Sequence, residues 1–383
     1  MSVFAAGSTT LKICWQPLRP WSSVRSTASL ARIIAIANVV VVVLALTALW
    51  LLPSDEPVTA ARPAADRPKP QPSTVYQPPP GVVATPAFAK QVKANESGLV
   101  PVLMYHRIIN KRLASIDRTP SQFRQELEKL ARQGYVPITA RQFATGDIRV
   151  PAGKYPVVLT FDDGHESHFR LGPGDRPERN TAVAILMDVA RKYPHFQPVA
   201  TFWINKRPFG LDDPAEQARA AQWLVRNGFE VANHTWSHYN LRTLKTKKVR
   251  EQIVRLERLL KKLGVEPSQT MALPFGSMPR SKKAAAKGSW DGTPYGIAGV
   301  FLAGAEPSVS PYAKSFDPGA IQRIQSNGKK GECRKWCSQY WLEWLNKHPG
   351  ERYVSDGDPD HVSVPKALRG KIHPKRRGQI IAY

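Results

Sequence analysis

The sequence predicts an α/β fold with a mostly parallel sheet, open or closed as a barrel, preceded by one transmembrane helix and a proline-rich linker. Three observations lead there. From Leu99 onward, short apolar runs alternate with amphipathic stretches of helical period. Residues 33–52 read IIAIANVVVVVLALTALWLL, long enough to span a bilayer. Between these regions, Pro53 to Pro86 carries ten prolines in 34 residues, a composition that favours extended chain and buries no core.

The first 32 residues form a basic tail. Lys12, Arg19, Arg25 and Arg32 precede the apolar block with no acid among them, and Asp55 and Glu56 follow it. That asymmetry puts the N-terminus in the cytoplasm and the rest of a single-pass protein outside, periplasmic or at the cell surface. A cleaved secretory signal is the rival reading. It needs a shorter core and a small-residue cleavage site, whereas Trp50-Leu51-Leu52-Pro53 ends the block here, with VTAARPA a little beyond. Residues 53–94 are then a disordered spacer, 95–325 one large α/β domain, and 326–383 a helical, basic extension packing on it.

Within the domain, LVPVLMY (99–105) reads as a strand. Thr119-Pro120 starts a helix with an N-cap followed by proline at its first position, and Gly134 ends it. Strands follow at 156–161, 199–204, 229–234, 270–275 and 296–303. Helices are expected at 181–193, 214–227 and 243–263. After about Pro307 the alternation weakens, leaving a tryptophan-rich helix (Trp336, Trp341, Trp344) and a polar tail. There is no internal repeat.

The chain carries 55 Lys and Arg against 30 Asp and Glu, a net charge of +25. Clusters at 245–250, 280–287 and 371–377 suit an anionic surface such as lipid headgroups or an acidic wall polymer, or are simply a solvated basic face. The predicted topology argues against nucleic acid as a partner. Of three cysteines, Cys14 lies on the cytoplasmic side; Cys333 and Cys337 share a compartment and could form a local disulfide.

Chemistry concentrates at strand ends, where parallel α/β folds build their sites. Three ends are unusual: TFDDG (160–164), NHTWSH (233–238) and LPFG (273–276). His234 and His238, four apart, share a face if their segment is a helical turn. With Asp163 they would make a facial set for a divalent metal. Asp162 and Asp163 would repel as free neighbours; a cation on one removes that conflict and leaves Asp162 to accept a proton from water. A lone DDG is an ordinary turn and a lone HxxxH an ordinary pair of histidines. Their coincidence at two strand ends carries the reading.

These three segments resemble the first three motifs of the polysaccharide deacetylase family, the NodB-homology or carbohydrate esterase 4 group, over roughly residues 99–325. The resemblance implies a distorted (β/α) barrel of the NodB-homology type. It also implies a hydrolase that removes acetyl groups from N-acetylglucosamine-type sugars of an envelope or exopolysaccharide glycan, with a divalent metal, often zinc. Carried over, Asp162 is similar to the general base and Asp163, His234 and His238 to the metal ligands, while Pro274, Phe275 and Gly276 resemble the wall of the sugar groove. Two departures stand out. Ala272 occupies the place of an arginine that orients the base, for which Arg280 or Arg242 could substitute. The late Leu-x-x-His motif, source of the general acid, is missing. The segment PVLMYHRI (101–108) resembles the opening strand of the exopolysaccharide subgroup, which makes His106 the candidate general acid; a strand-end histidine hydrogen-bonded to the sheet is the alternative. His165 and His168 are read as solvated loop histidines, Trp203 as core, and Trp236 with Phe275 as surfaces on which a sugar could stack. The other functional readings are a catalytically impaired glycan-binding envelope protein on the same fold, suggested by Ala272, and an amidohydrolase acting on a small non-sugar amide.

Overall fold

The computed structural model describes residues 83–329 and 335–383, which lie within one compact unit running from Pro70 to Tyr383. The expected membrane span at 33–52, most of the linker and Cys333 fall outside the described residues, and no helix among the described residues is long and apolar enough to cross a membrane. Cys337 is buried and disulfide-bonded.

Twelve strands are described: β1 (Val102–Tyr105), β2 (Tyr135–Ile138), β3 (Tyr155–Phe161), β4 (Thr201–Ile204), β5 (Glu230–Asn233), β6 (Thr270–Ala272), β7 (Lys287–Trp290), β8 (Thr293–Gly296), β9 (Gly299–Phe301), β10 (Ile324–Gln325), β11 (Val362–Val364) and β12 (Ile380–Ala382). Eight build one parallel sheet in the order β10-β1-β3-β4-β5-β6-β9, with β2 pairing the first half of β3. The two ends of this order meet. Ile321 bridges Phe301 of β9, and three residues later Ile324 pairs with Leu103 of β1. The sheet is therefore curled and nearly closed, as expected for a distorted (β/α) barrel, with residues 321–325 as the closing stave.

The helices are α1 (Pro86–Gln91), α2 (Pro120–Arg132), α3 (Ala140–Thr145), α4 (Ala182–Lys192), α5 (Pro214–Arg226), α6 (Thr246–Lys262), α7 (Lys282–Ala286) and α8 (Ser338–Lys347). Thr119 caps α2 in a full capping box with Gln122, and Thr181 caps α4. Period-2 alternation sorts the strand residues into two layers. Leu103, Tyr105, Leu159, Phe161, Phe202 and Ile204 pack outward against Phe123, Leu127, Leu186, Leu224 and Leu256 of the helices. Val102, Val158, Trp203, Ala232, Ala272 and Phe301 pack inward. Burial of this kind contributes roughly 1.5–3 kcal/mol per large side chain.

Several elements were not expected from sequence. β2 contains Pro137, which reads as a strand breaker but is tolerated because β2 hydrogen-bonds on one side only. β10 is two residues long, too short for any periodicity. The C-terminal residues Tyr353, Val362, Val364 and Ile372 join the inner core cluster together with Val100 and Val102. They thus pack with the start of β1, at the N-terminal end of the sheet, opposite the strand ends that carry the motifs.

Candidate active site

Register explains why the chemistry converges. Met104 of β1 pairs with Thr160 of β3. Both point inward, so two residues further on His106 and Asp162 do too. On β5 the inward Ala232 is followed, two residues later, by His234. Neighbouring residues on a strand face opposite ways, so Asp162 and Asp163 could not both serve one site on a regular strand. Asp163 resolves this with φ of 75°, in the left-handed region. That turn sets its Oδ1 3.4 Å from His234 Nε2 and 3.3 Å from His238 Nε2.

The two histidines do not share a helical turn, as their spacing suggested. Residues 234–238 are a loop bent at Thr235 (φ 67°) and His238 (φ 52°). Left-handed backbone costs a non-glycine residue about 1–2 kcal/mol and persists only where surrounding structure imposes it. Here the imposing contacts are visible. Asn205 Nδ2 donates to the carbonyls of His234 (2.7 Å) and Thr235 (2.8 Å). Asn233 Oδ1 accepts from Thr235 N, while its Nδ2 donates to Ile253 O and Glu257 Oε1 of α6. The Gln252 side chain accepts from Ser237 N, and its carbonyl from Trp236 N.

Asp163, His234 and His238 bring one ligand atom each to within 4.8 Å of one another. His234 is buried; its Nδ1 lies 2.9 Å from the carbonyl of Ala272, and its Nε2 has no hydrogen-bond partner. A backbone carbonyl can only accept, so the proton sits on Nδ1 and the Nε2 lone pair is left facing the carboxylate. A buried, unpartnered imidazole nitrogen beside a second imidazole and a carboxylate fits a divalent cation.

Asp162 is 3% exposed, and the guanidinium of Arg323 forks onto it: Nη1 donates to Oδ1 at 2.7 Å and Nη2 to Oδ2 at 2.8 Å. Arg323 is itself fully buried. Its Nε donates to Leu302 O, Nη1 also reaches Thr160 Oγ1 at 3.2 Å, and its Cζ lies 5.0 Å from the centre of the Trp203 ring. The expected substitutes, Arg242 and Arg280, are both exposed on the surface, and among the described residues it is Arg323 that forks onto Asp162. Arg323 stands 161 residues from Asp162 on the closing stave, in a stretch where the strand signal had faded. No spacing rule points to it; only closure of the sheet does. Burial opposes ionisation of Asp162, but Arg323 above all, with His234 and His106, holds its carboxyl well below the usual range. Asp163, also opposed by burial, is drawn down to about 2, chiefly by His234. Burial disfavours charged His234 as well, yet the two carboxylates raise its pKa overall.

His106 Nε2 lies 4.0 Å from Asp162 Oδ2, and its Nδ1 is buried without a partner. Burial pushes its pKa down, so the neutral ring is favoured. His168 is not a solvated loop histidine: it is fully buried, its Nε2 sits 2.5 Å from His106 O, and it packs edge-on to Phe161. Burial lowers its pKa to about 4. With Ser167, whose Oγ accepts from Ile108 N, it ties the loop after β3 to the end of β1 and so fixes the backbone of His106. His165 is half-buried and bonded to Ser167. Trp203 is core, with its indole N–H donating to Thr270. Trp236 lies half-buried beneath the Arg255 guanidinium.

Pro274, Phe275 and Gly276 form a 3-10 turn at the end of β6. Phe275 has φ of 58°, is 67% exposed, and meets the His238 ring edge-on with centroids 4.6 Å apart. Gly276, at φ 62°, packs so closely that a Cβ would meet Ala303 N at 2.5 Å.

Residues 149–289 match the family model described as polysaccharide deacetylase. Over 131 residues the chain is 27% identical to a peptidoglycan-N-acetylglucosamine deacetylase of Bacillus cereus, covering 33% of this chain and 39% of that relative's length. Among solved structures, IcaB from Ammonifex degensii aligns at 20% identity and a TM-score of 0.45, covering 62% of this chain and 94% of that one. The Streptococcus pyogenes deacetylase PplD, solved with acetate, aligns at 18% identity and a TM-score of 0.44, covering 59% and 91%. The likeness read from TFDDG and NHTWSH is thus a likeness to polysaccharide deacetylases.

Proposed function

We propose that this chain is a metal-dependent polysaccharide N-deacetylase, a hydrolase of carbon–nitrogen bonds other than peptide bonds, acting on N-acetylglucosamine-type sugars of an envelope glycan. The observation that carries the reading is the division of labour between two adjacent carboxylates. Asp162 is claimed by Arg323, and Asp163 by two histidines. The basic N-terminal tail and the apolar block at 33–52 support a single-pass anchor that holds the domain outside the cytoplasm.

Asp163, His234 and His238 would hold the cation, with zinc favoured by two imidazoles and one carboxylate. When bound, such a cation polarises an acetamide carbonyl and acidifies water. The chain's own groups do the rest. Asp162, ionised and held in line by Arg323, accepts the proton of the attacking water. Arg323 spends both outer nitrogens on that carboxylate, so the base keeps its orientation as its charge is neutralised. Within the LPFG turn Pro274 has no N–H, and those of Leu273 and Gly276 donate to Phe301 O and Leu273 O, which leaves the Phe275 N–H as the candidate donor to the developing oxyanion. His106, whose Nε2 lies 4.0 Å from Asp162 Oδ2, takes over the proton that Asp162 accepted from water and passes it to the leaving amine as the C–N bond breaks, and acetate departs from a glucosamine unit. Phe275 offers an exposed ring for the sugar to stack on.

The catalytically impaired reading drew on the absent arginine at position 272, and Arg323 removes that motive. The test is acetate release from N-acetylglucosamine oligomers by the detergent-solubilised full chain, before and after chelation and zinc return. The reading expects activity lost with the metal and regained with it, and no metal retained by His234→Ala. Release indifferent to chelation would refute the metal; release from small amides but from no glycan would favour the amidohydrolase.

A further inference from the structure

We infer that Glu126 is a positioning residue for the catalytic base: with Tyr105, Ser326 and Ser338 it forms a clasp that keeps the closing stave in register and so keeps Arg323 forked on Asp162. The step from fork to rate rests on the deacetylase reading above. All four clasp residues lie outside the stretch 149–289 that matches the family model.

Glu126 is a buried carboxylate, 7% exposed, on the sheet-facing side of α2. Three hydroxyls donate to it. Tyr105 Oη reaches Oε2 at 2.8 Å, Ser326 Oγ reaches the same oxygen at 2.6 Å, and Ser338 Oγ reaches Oε1. All three donors are fully buried. They come from three places in the chain: the last residue of β1, the residue after β10, and the first residue of α8. A buried acceptor network of this kind holds its members in one arrangement, because breaking a bond leaves a polar group with neither protein nor water to pair with.

The stave needs such a hold. β10 has two residues, Ile324 opposite Leu103 and Gln325 opposite Met104, followed by one further bond from Ser326 N to Met104 O at 2.9 Å. Alternation turns Arg323 inward to Asp162 and Ser326 outward to α2, where Glu126 takes it. The C-terminal segment grips the stave from behind. Ser338 Oγ accepts from Asn327 N at 3.1 Å while it donates to Glu126, and the disulfide-bonded Cys337 bridges Gln325. Tyr105 directly precedes His106, so the same carboxylate fixes the strand end on which the candidate general acid stands. The fork on Asp162, at 2.7 and 2.8 Å, requires both strands in place. A slip of about 1 Å breaks its two-point contact, and misplacement of that size costs on the order of 100-fold in rate.

The test uses Glu126→Ala, the conservative Glu126→Gln, and Ser338→Ala in the full chain, with two readouts. The first is amide hydrogen exchange read by mass spectrometry. Exchange at residues 324–327 should quicken about tenfold or more in Glu126→Ala, while Glu230–Asn233 of β5 keeps the parental rate. Unchanged exchange at 324–327, or an equal rise in both places, overturns the inference. The second readout is acetate release by the zinc-loaded protein. In Glu126→Ala kcat should fall about 10- to 100-fold with KM and metal content at parental values. Glu126→Gln, which keeps one acceptor oxygen, and Ser338→Ala, which removes one donor, should lose less. In the double variant Glu126→Ala, Arg323→Lys the two losses should not multiply, because both act on one fork. Losses that multiply give Glu126 a role apart from Arg323 and overturn the inference. If Glu126→Ala does not fold, the other two variants carry both readouts. Exchange needs no turnover, so a parent that releases no acetate overturns the deacetylase reading, and exchange at 324–327 then decides the clasp.

Discussion

At the scale of single residues, the pair Asp162 and Asp163 makes sense only because something separates their roles. One agent is backbone: the left-handed φ of Asp163 swings its carboxylate toward the histidines. The other is Arg323, which satisfies both oxygens of Asp162. Arg323→Lys keeps a positive charge and removes the fork. It should lower kcat about 100-fold, the usual cost of a misplaced catalytic group, while leaving metal content at the parental level. Arg323→Gln removes the charge as well. Because that charge holds the Asp162 carboxyl down, its loss raises the carboxyl's pKa. The basic form then fails at higher pH, and the acid limb of the kcat/KM profile moves upward. An unmoved limb would mean that Asp162 is not the group that titrates there.

At the scale of elements, the site is a product of register and of loops held in strained shapes by amides. Asn205 makes two hydrogen bonds to the histidine loop but is itself no ligand. Asn205→Ala should weaken metal affinity about 10- to 100-fold, measured by competition with a chromophoric chelator, with little change in the far-ultraviolet circular dichroism. Much of this layer was legible in the sequence. The strands ending at Tyr105, Phe161, Ile204 and Asn233 announce themselves by apolar runs, and the helices by Thr119-Pro120, Thr181 and Pro214, because those signals are local. What escaped was non-local. The helical reading of His234-x-x-x-His238 failed because Thr235 and His238 adopt positive φ, which their residue types do not announce. His168 looked like a loop residue because its burial depends on Phe161 and Phe202 from other strands. Arg323 escaped because a two-residue strand has no period, and its meaning appears only when Ile321 and Ile324 join opposite edges of the sheet.

At the scale of the molecule, the C-terminal residues belong to the core that carries the site. Glu96, which precedes β1, is buried and accepts from Tyr353 Oη (3.0 Å) and Ser363 N (2.8 Å), close to Asp356. Burial first, and the charge of Asp356 second, raise its pKa well above the ordinary glutamate range. The folded protein therefore holds a proton there that the unfolded chain has already released. Stability from this group is full below the ordinary glutamate pKa and is lost as pH rises toward the folded value. Thermal unfolding midpoints should fall across that interval, and Glu96→Gln should flatten the fall; a variant with the parental slope would place the titration elsewhere. The account as a whole stands on Asp162 as the base of an amide hydrolysis. The most direct measurement is acetate release from N-acetylglucosamine oligomers by the zinc-loaded full chain and its Asp162→Asn variant, with metal content determined on the same samples. The account predicts equal metal in both and a kcat lower by about 100- to 10,000-fold in the variant. Equal rates at equal metal content would contradict it.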